Sequence, residues 1–154
     1  MRLKPNSETT AIWVLLNTAH KQVKQKFETE MRRAGLPPVA WYDVLWGLER
    51  HPDGLRQYEL EGECLFDQAN LSRTLKRMVE DGLACQVTAP EDRRGRILTI
   101  TSKGKALRKR MWSVYGELML SEIEDRIPAE LTTGLIDGLQ ALVPDFEWPE
   151  KSET

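Results

Sequence analysis

Between Asp67 and Thr101 the spacing of apolar residues changes from helical to strand-like, and that change limits the folds open to this 154-residue chain. In DQANLSRTLKRMVEDG (67 to 82), Leu71, Leu75, Met78 and Val79 share one side of a helix, because residues three and four apart lie on a common face. Asp67 suits the N-cap, where a short side-chain oxygen accepts from the free amides of the first turn, and Gly82 suits the position just past the end. LACQVTA (83 to 89) and RILTIT (96 to 101) then alternate with period two, separated by PEDRRG with Pro90 and Gly95 as turn residues. The pattern predicts a hairpin with a charged tip.

Upstream, Ile12, Leu15, Leu16, Ala19, Val23, Phe27 and Met31 mark a long helix over about 8 to 33, stopped by Gly35, Pro37 and Pro38. A second helix, about 39 to 50, carries Trp41, Val44, Leu45 and Leu48 and ends at the HPDG turn. A short helix over about 55 to 65 follows, then a sharp break at Phe66 and Asp67. Two short helices joined by a tight turn and followed by a small hairpin describe a winged helix-turn-helix, here about 36–101. Beyond Ser102 helix returns with Leu107, Met111, Tyr115, Leu118 and Ile123, and Pro128 starts a last helix with Leu131, Leu135, Leu139 and Leu142. The expected fold is one mainly α domain over 1–154 with a small β-hairpin, its winged region flanked by helical dimerisation regions at about 8–34 and 102–144.

A hydrophobic content of 40% with 30% charged residues is ordinary for a globular chain, and the longest apolar run, AIWVLL at 11 to 16, is far short of a bilayer span. MRLKPNSETT lacks the apolar core of a secretion signal, so no membrane partner and a cytoplasmic location are expected. Cys64 and Cys85 have neither C-x-x-C spacing nor nearby histidines, which argues against zinc and a disulfide framework and for reduced, buried thiols. No metal or cofactor is expected. His20 and His51, the only histidines, come with no serine elbow or phosphate loop, so no enzyme is expected.

The net charge of −2 conceals a strong asymmetry. Residues 67–112 hold 11 Lys and Arg against 5 Asp and Glu, whereas residues 113–154 hold 2 against 10. One face can therefore attract a polyanion while the rest repels it. Opposite the apolar side of the helix over 68–81 lie Ala69, Asn70, Arg73, Lys76 and Arg77, with Gln68 in the exposed first turn. Amides can bond adenine bidentately and arginine can bond guanine, while basic groups further along meet phosphate. A solvated helix face is the plain alternative; the neighbouring hairpin tip shifts the balance. There Arg93, Arg94 and Arg96 suit a narrow minor groove, whose negative potential favours inserted arginine, and Asp92 requires an arginine partner. Lys103, Lys105, Arg108, Lys109 and Arg110 extend the positive region, mostly as an exposed helix face.

D-R-R at 92–94 followed by I-T-S-K-G at 100–104, NLSRTLKRMVEDGL at 70–83 and LPPVAWYDVL at 36–45 together resemble the multiple antibiotic resistance regulator (MarR) family over about residues 9 to 142. The resemblance implies a homodimer in which the first helix and the last two interlock, a palindromic double-stranded DNA operator, and repression released by a small aromatic or phenolic effector. It also places Arg94 at the wing's minor-groove arginine and Asp92 at the acid that steadies it. The chain departs from the family at Asp67, where Ser or Thr is common, and at Glu61 and Gly62, where an alanine and a polar residue are usual. Trp13, His20, Trp41, Tyr42 and Trp46 are candidates for an effector pocket, with core packing as the alternative. Two other readings of the same fold remain: a protein-binding adaptor, and a redox-sensing regulator acting through cysteine.

Overall fold

The computed structural model describes residues 4–64 and 68–147. Six α-helices run over Ser7–Arg33 (α1), Val39–Glu49 (α2), Gln57–Glu63 (α3), Gln68–Glu80 (α4), Ser102–Met119 (α5) and Ala129–Leu142 (α6), with three strands at Leu55–Arg56 (β1), Ala84–Ala89 (β2) and Asp92–Ile100 (β3). A π-helical turn, Leu120–Glu124, follows α5. None of the described helices is long and apolar enough to cross a membrane. The described residues fall into two compact units that divide after Glu117. The proposed N-cap Asp67 and the side chain of Gln68 lie outside the described residues.

Local sequence accounts for most element ends. The Asn6 side chain accepts from the Thr9 N–H at 2.7 Å and so caps α1 one residue earlier than the apolar spacing marks it. At the end of α4, Gly82 adopts φ +72°, which lets its own N–H reach Val79 O and the Leu83 N–H reach Met78 O at 2.8 Å. Thr101 secures the next junction: its hydroxyl donates to Gly82 O at 2.7 Å and accepts from the Gly104 N–H at 3.0 Å, while Lys103 Nζ donates to Asp81 O at 2.7 Å. Lys103 thus neutralises the carbonyl end of α4.

The core of the first unit gathers Met31 from α1, Leu45 and Leu48 from α2, Leu60 from α3, Leu71, Leu75 and Met78 from α4, Leu98 from β3 and Met111 from α5. Phe27, Tyr42, Trp112 and Tyr115 add an aromatic cluster with ring centroids 5.1 to 6.0 Å apart. Arg108 of α5 pairs with Glu49 of α2. Most of α5 therefore packs with the winged region, although sequence alone grouped it with the dimerisation helices.

Three expectations need correction. The proposed helix over 55–65 begins as a two-residue strand: Leu55 and Arg56 pair with Leu98 and Ile97, giving a sheet ordered β1-β3-β2 rather than a bare hairpin. The hairpin tip is only Pro90 and Glu91, because β3 starts at Asp92. Pairing runs regularly from Ala84↔Ile100 to Thr88↔Arg96 and then jumps to Ala89↔Asp92. Residues 93–95 are therefore extra on one strand, and Arg93, Arg94 and Gly95 form a bulge in β3. Third, Cys85 is exposed, since its pair with Thr99 lies on the sheet face opposite Ala84 and Leu98, which face the core.

In the second unit, α6 exposes Leu131, Leu135, Ile136, Leu139 and Leu142. Within the first, α1 exposes Ile12, Trp13, Val14, Leu15 and Leu16, and only Phe27 and Met31 of this helix are buried.

Candidate nucleic-acid interface

The two faces of α4 are chemically distinct. Leu71, Leu75 and Met78 are buried, while Ala69, Asn70, Arg73, Lys76 and Arg77 are exposed. The donor groups are arranged along the helix: Arg73 Nη2 donates to Asn70 Oδ1 at 3.2 Å, Arg77 Nε to Asp81 at 3.3 Å, and Lys76 lies 4.0 Å from Glu80. Exposed pairs of this kind contribute little stability, so these side chains can exchange partners for an anionic ligand at small cost. The helix is anchored to its predecessor by Gln57 Nε2, which donates to Ser72 Oγ at 2.6 Å. A groove of about 190 Å³ separates α4 from the sheet, floored by Leu75 and Leu98 and rimmed by Lys76, Glu80 and Gln86.

The bulge presents the second basic group. Arg93, Arg94 and Arg96 are exposed, and among the described residues no ion pair or hydrogen bond engages their guanidinium groups. Asp92 turns away from those groups: Oδ1 accepts from the Arg94 N–H at 2.9 Å, and Oδ2 lies 3.5 Å from Arg56 Nη1. The expected arginine partner exists, but it is Arg56 of β1, and Asp92 reaches Arg94 through the backbone. The Arg94 amide bond and then the Arg56 guanidinium hold the Asp92 carboxyl below its ordinary value. Arg56 is the residue that sequence reasoning missed, because nothing local to positions 55 and 56 announces a contact with position 92.

The aromatic candidates do not form one group. Tyr42 is buried in the ring cluster, and Trp41 and Trp46 are partly buried, the latter beneath Arg50 with its guanidinium 3.9 Å from the ring centroid. Trp13, 67% exposed, and His20 lie on the outward part of α1, so neither packs in the core of the chain. Trp13 stands 14 residues before Phe27, about 20 Å along the helix from the cluster that holds Tyr42.

Burial shifts several titratable groups elsewhere in the first unit. Burial, followed by the charges of Asp43 and Glu63, pushes the Cys64 thiol up to about 12. Burial alone raises the Asp43 carboxyl to about 6, and burial with the nearby Asp43 charge raises the Tyr115 phenol to about 12. His51 Nδ1 lies 2.9 Å from Gly47 O. Among the described residues, no group of three His, Cys, Asp or Glu side chains is placed to hold a metal ion.

Residues 34–95, from the end of α1 to the bulge, match the MarR family model. Over those residues the chain is similar to the MarR family. No curated protein sequence matches it. Solved MarR-family structures share the fold over nearly the whole chain. Sco3205, a MarR family transcriptional regulator from Streptomyces coelicolor in complex with DNA, is 18% identical with a TM-score of 0.84, covering 99% of this chain and 97% of its own. A cysteine-to-serine mutant MarR from E. coli complexed with operator DNA is 20% identical with a TM-score of 0.76, covering 89% and 96%. BpsR of Bordetella bronchiseptica, whose DNA binding is regulated by 6-hydroxynicotinic acid, is 19% identical with a TM-score of 0.76, covering 86% and 98%. In MarR-family terms, α3 and α4 form the helix-turn-helix and β2 and β3 the wing.

Proposed function

We propose that this chain is a homodimeric, sequence-specific DNA-binding transcriptional regulator. α4 enters a major groove, where Gln68, Asn70 and Arg73 meet base edges and Lys76 and Arg77 meet phosphates. Arg93, Arg94 and Arg96 reach the neighbouring minor groove. The observation that carries this reading is the display of an outward donor face on α4 and of guanidinium groups at the bulge that pair with none of the described residues. The DNA complexes of the Sco3205 and E. coli neighbours support it.

Dimerisation rests on the exposed apolar faces of α1 and α6, since contiguous apolar surface of this kind marks an interaction site. A twofold protein places its two α4 helices about one DNA turn apart on a palindromic operator. The regulator is a repressor released by a small aromatic acid, with the partly buried Trp41 and Trp46 as its candidate contacts; the response of BpsR to 6-hydroxynicotinic acid supports that class of effector.

Selecting bound fragments from genomic DNA and titrating them by gel shift tests the proposal. A defined palindrome that resists competitor DNA, with affinity falling steeply as salt rises, supports it. Absent or salt-insensitive binding points instead to a protein-binding adaptor. Arg94→Ala should weaken operator binding by about 1–3 kcal/mol while leaving the dimer folded; equal affinity of variant and parent contradicts the wing assignment.

A further inference from the structure

Arg93, Arg94 and Gly95 are surplus to the ladder between β2 and β3, so strand pairing does not fix their conformation. A bulge that carries two arginines towards a groove needs some other restraint, because side chains that sample many positions lose binding energy when they are ordered by a ligand. The restraint comes from outside the hairpin.

Arg56 belongs to β1, where it pairs with Ile97, and its N–H donates to Glu59 Oε2 at 2.7 Å. Its base is therefore fixed in the body of the sheet. Its guanidinium extends to the bulge, with Nη1 3.5 Å from Asp92 Oδ2. The same group lies against Gly95: a Cβ added there would stand 2.4 Å from Nη1 and 3.0 Å from Cζ. A larger residue there would push the guanidinium off the bulge. Gly95 is buried although its neighbours Arg94 and Arg96 are exposed, and the Arg56 side chain is 28% exposed. Asp92 completes the restraint by accepting from the Arg94 N–H. Arg56, Asp92 and Gly95 thus hold both ends of the segment that contains Arg93 and Arg94.

We infer that Arg56 is a positioning residue for DNA binding: seated over Gly95 and paired with Asp92, it locks the bulge so that Arg93 and Arg94 are displayed in one arrangement. The inference rests on the bulge being the DNA-facing wing. Arg56 acts through the bulge and not as a phosphate contact. An exposed ion pair contributes little to stability, so the role is visible in binding and not in folding.

The test uses the full chain and a genomic fragment selected by the parent protein, read by fluorescence anisotropy, with thermal unfolding and amide exchange measured on the free protein. Arg56→Ala should bind about tenfold more weakly, and Arg56→Lys should recover only part of the loss, because a compact ammonium cannot lie flat over Gly95. When Arg93 and Arg94 are both alanine already, Arg56→Ala should change affinity by less than about twofold, since coupled residues do not add. Exchange at the Arg94 and Gly95 amides should accelerate in Arg56→Ala while its melting temperature stays that of the parent. Unchanged affinity or unchanged exchange overturns the inference. So does a tenfold loss that persists in the doubly substituted background, which would make Arg56 a DNA contact in its own right. If the parent selects no DNA at all, the functional reading fails and this one with it; if the parent binds and Arg56→Ala matches it, this inference alone fails.

Discussion

Asp43 is a carboxylate in the wrong surroundings, and replacing it should stabilise the protein in a pH-dependent way. It sits on α2 near Cys64 and Tyr115, and among the described residues no hydrogen bond or ion pair reaches it. Burial raises its folded-state pKa to about 6 from the ordinary 3.8. Below 3.8 both the folded and unfolded chains carry the proton and the group brings no penalty. Between 3.8 and about 6 the unfolded chain ionises first, so stability falls as pH rises, and above about 6 the loss is complete. A gap of about two pH units at about 1.36 kcal/mol each makes that loss about 3 kcal/mol. Asp43→Asn keeps the shape without the charge. At pH 8 it should be more stable than the parent by about 3 kcal/mol, or about 6 to 12 °C in melting temperature for a chain of this size, and at pH 4 the two should agree within about 1 kcal/mol. Thermal unfolding at fixed protein concentration measures both values. A difference that is the same at both pH values, or a less stable variant at pH 8, refutes the reasoning.

Two further experiments separate folding from binding and one thiol from the other. Leu71→Ala removes a fully buried side chain of α4 and should cost about 2–5 kcal/mol in denaturant unfolding, whereas Arg73→Ala, on the exposed face of the same helix, should stay within about 0.5 kcal/mol of the parent yet weaken operator binding. In the native protein a thiol reagent should label Cys85 promptly and leave Cys64, buried and pushed up to about 12, unreacted until the chain unfolds; fast labelling of Cys64 would contradict its burial.

What could be read in the sequence was what depends on local period and local chemistry. The apolar spacing of α1, α2 and α4 is long and consistent, and their stop residues lie beside them, so their limits agree with the structure to within a residue or two. The donor face of α4 followed from the same geometry. The remainder depends on partners distant in sequence. β1 is two residues long and exists only because Leu98 and Ile97 lie opposite, so no periodicity could mark it. PEDRRG reads as a turn because it contains Pro90 and Gly95, yet Gly95 lies in the bulge of β3 against a guanidinium from β1. Alternation in LACQVTA shows two faces without saying which is inward; that choice is made by Leu98 and Ile100 across the ladder, and it leaves Cys85 outside. Trp13 and His20 were grouped with Trp41, Tyr42 and Trp46 as aromatic or polar-aromatic residues, but helix length keeps Trp13 far from the ring cluster.

The most direct measurement of the central claim is groove-specific footprinting on a selected operator, with guanine N7 methylation reporting the major groove and hydroxyl-radical cleavage the minor groove. With the parent protein, each half-site should show major-groove protection beside a protected minor groove. Alanine at both Arg93 and Arg94 should erase the minor-groove signal and leave the other, and alanine at both Asn70 and Arg73 should do the reverse. Protections that do not lie in neighbouring grooves, or that survive both pairs of substitutions, would show that α4 and the bulge do not hold one duplex together.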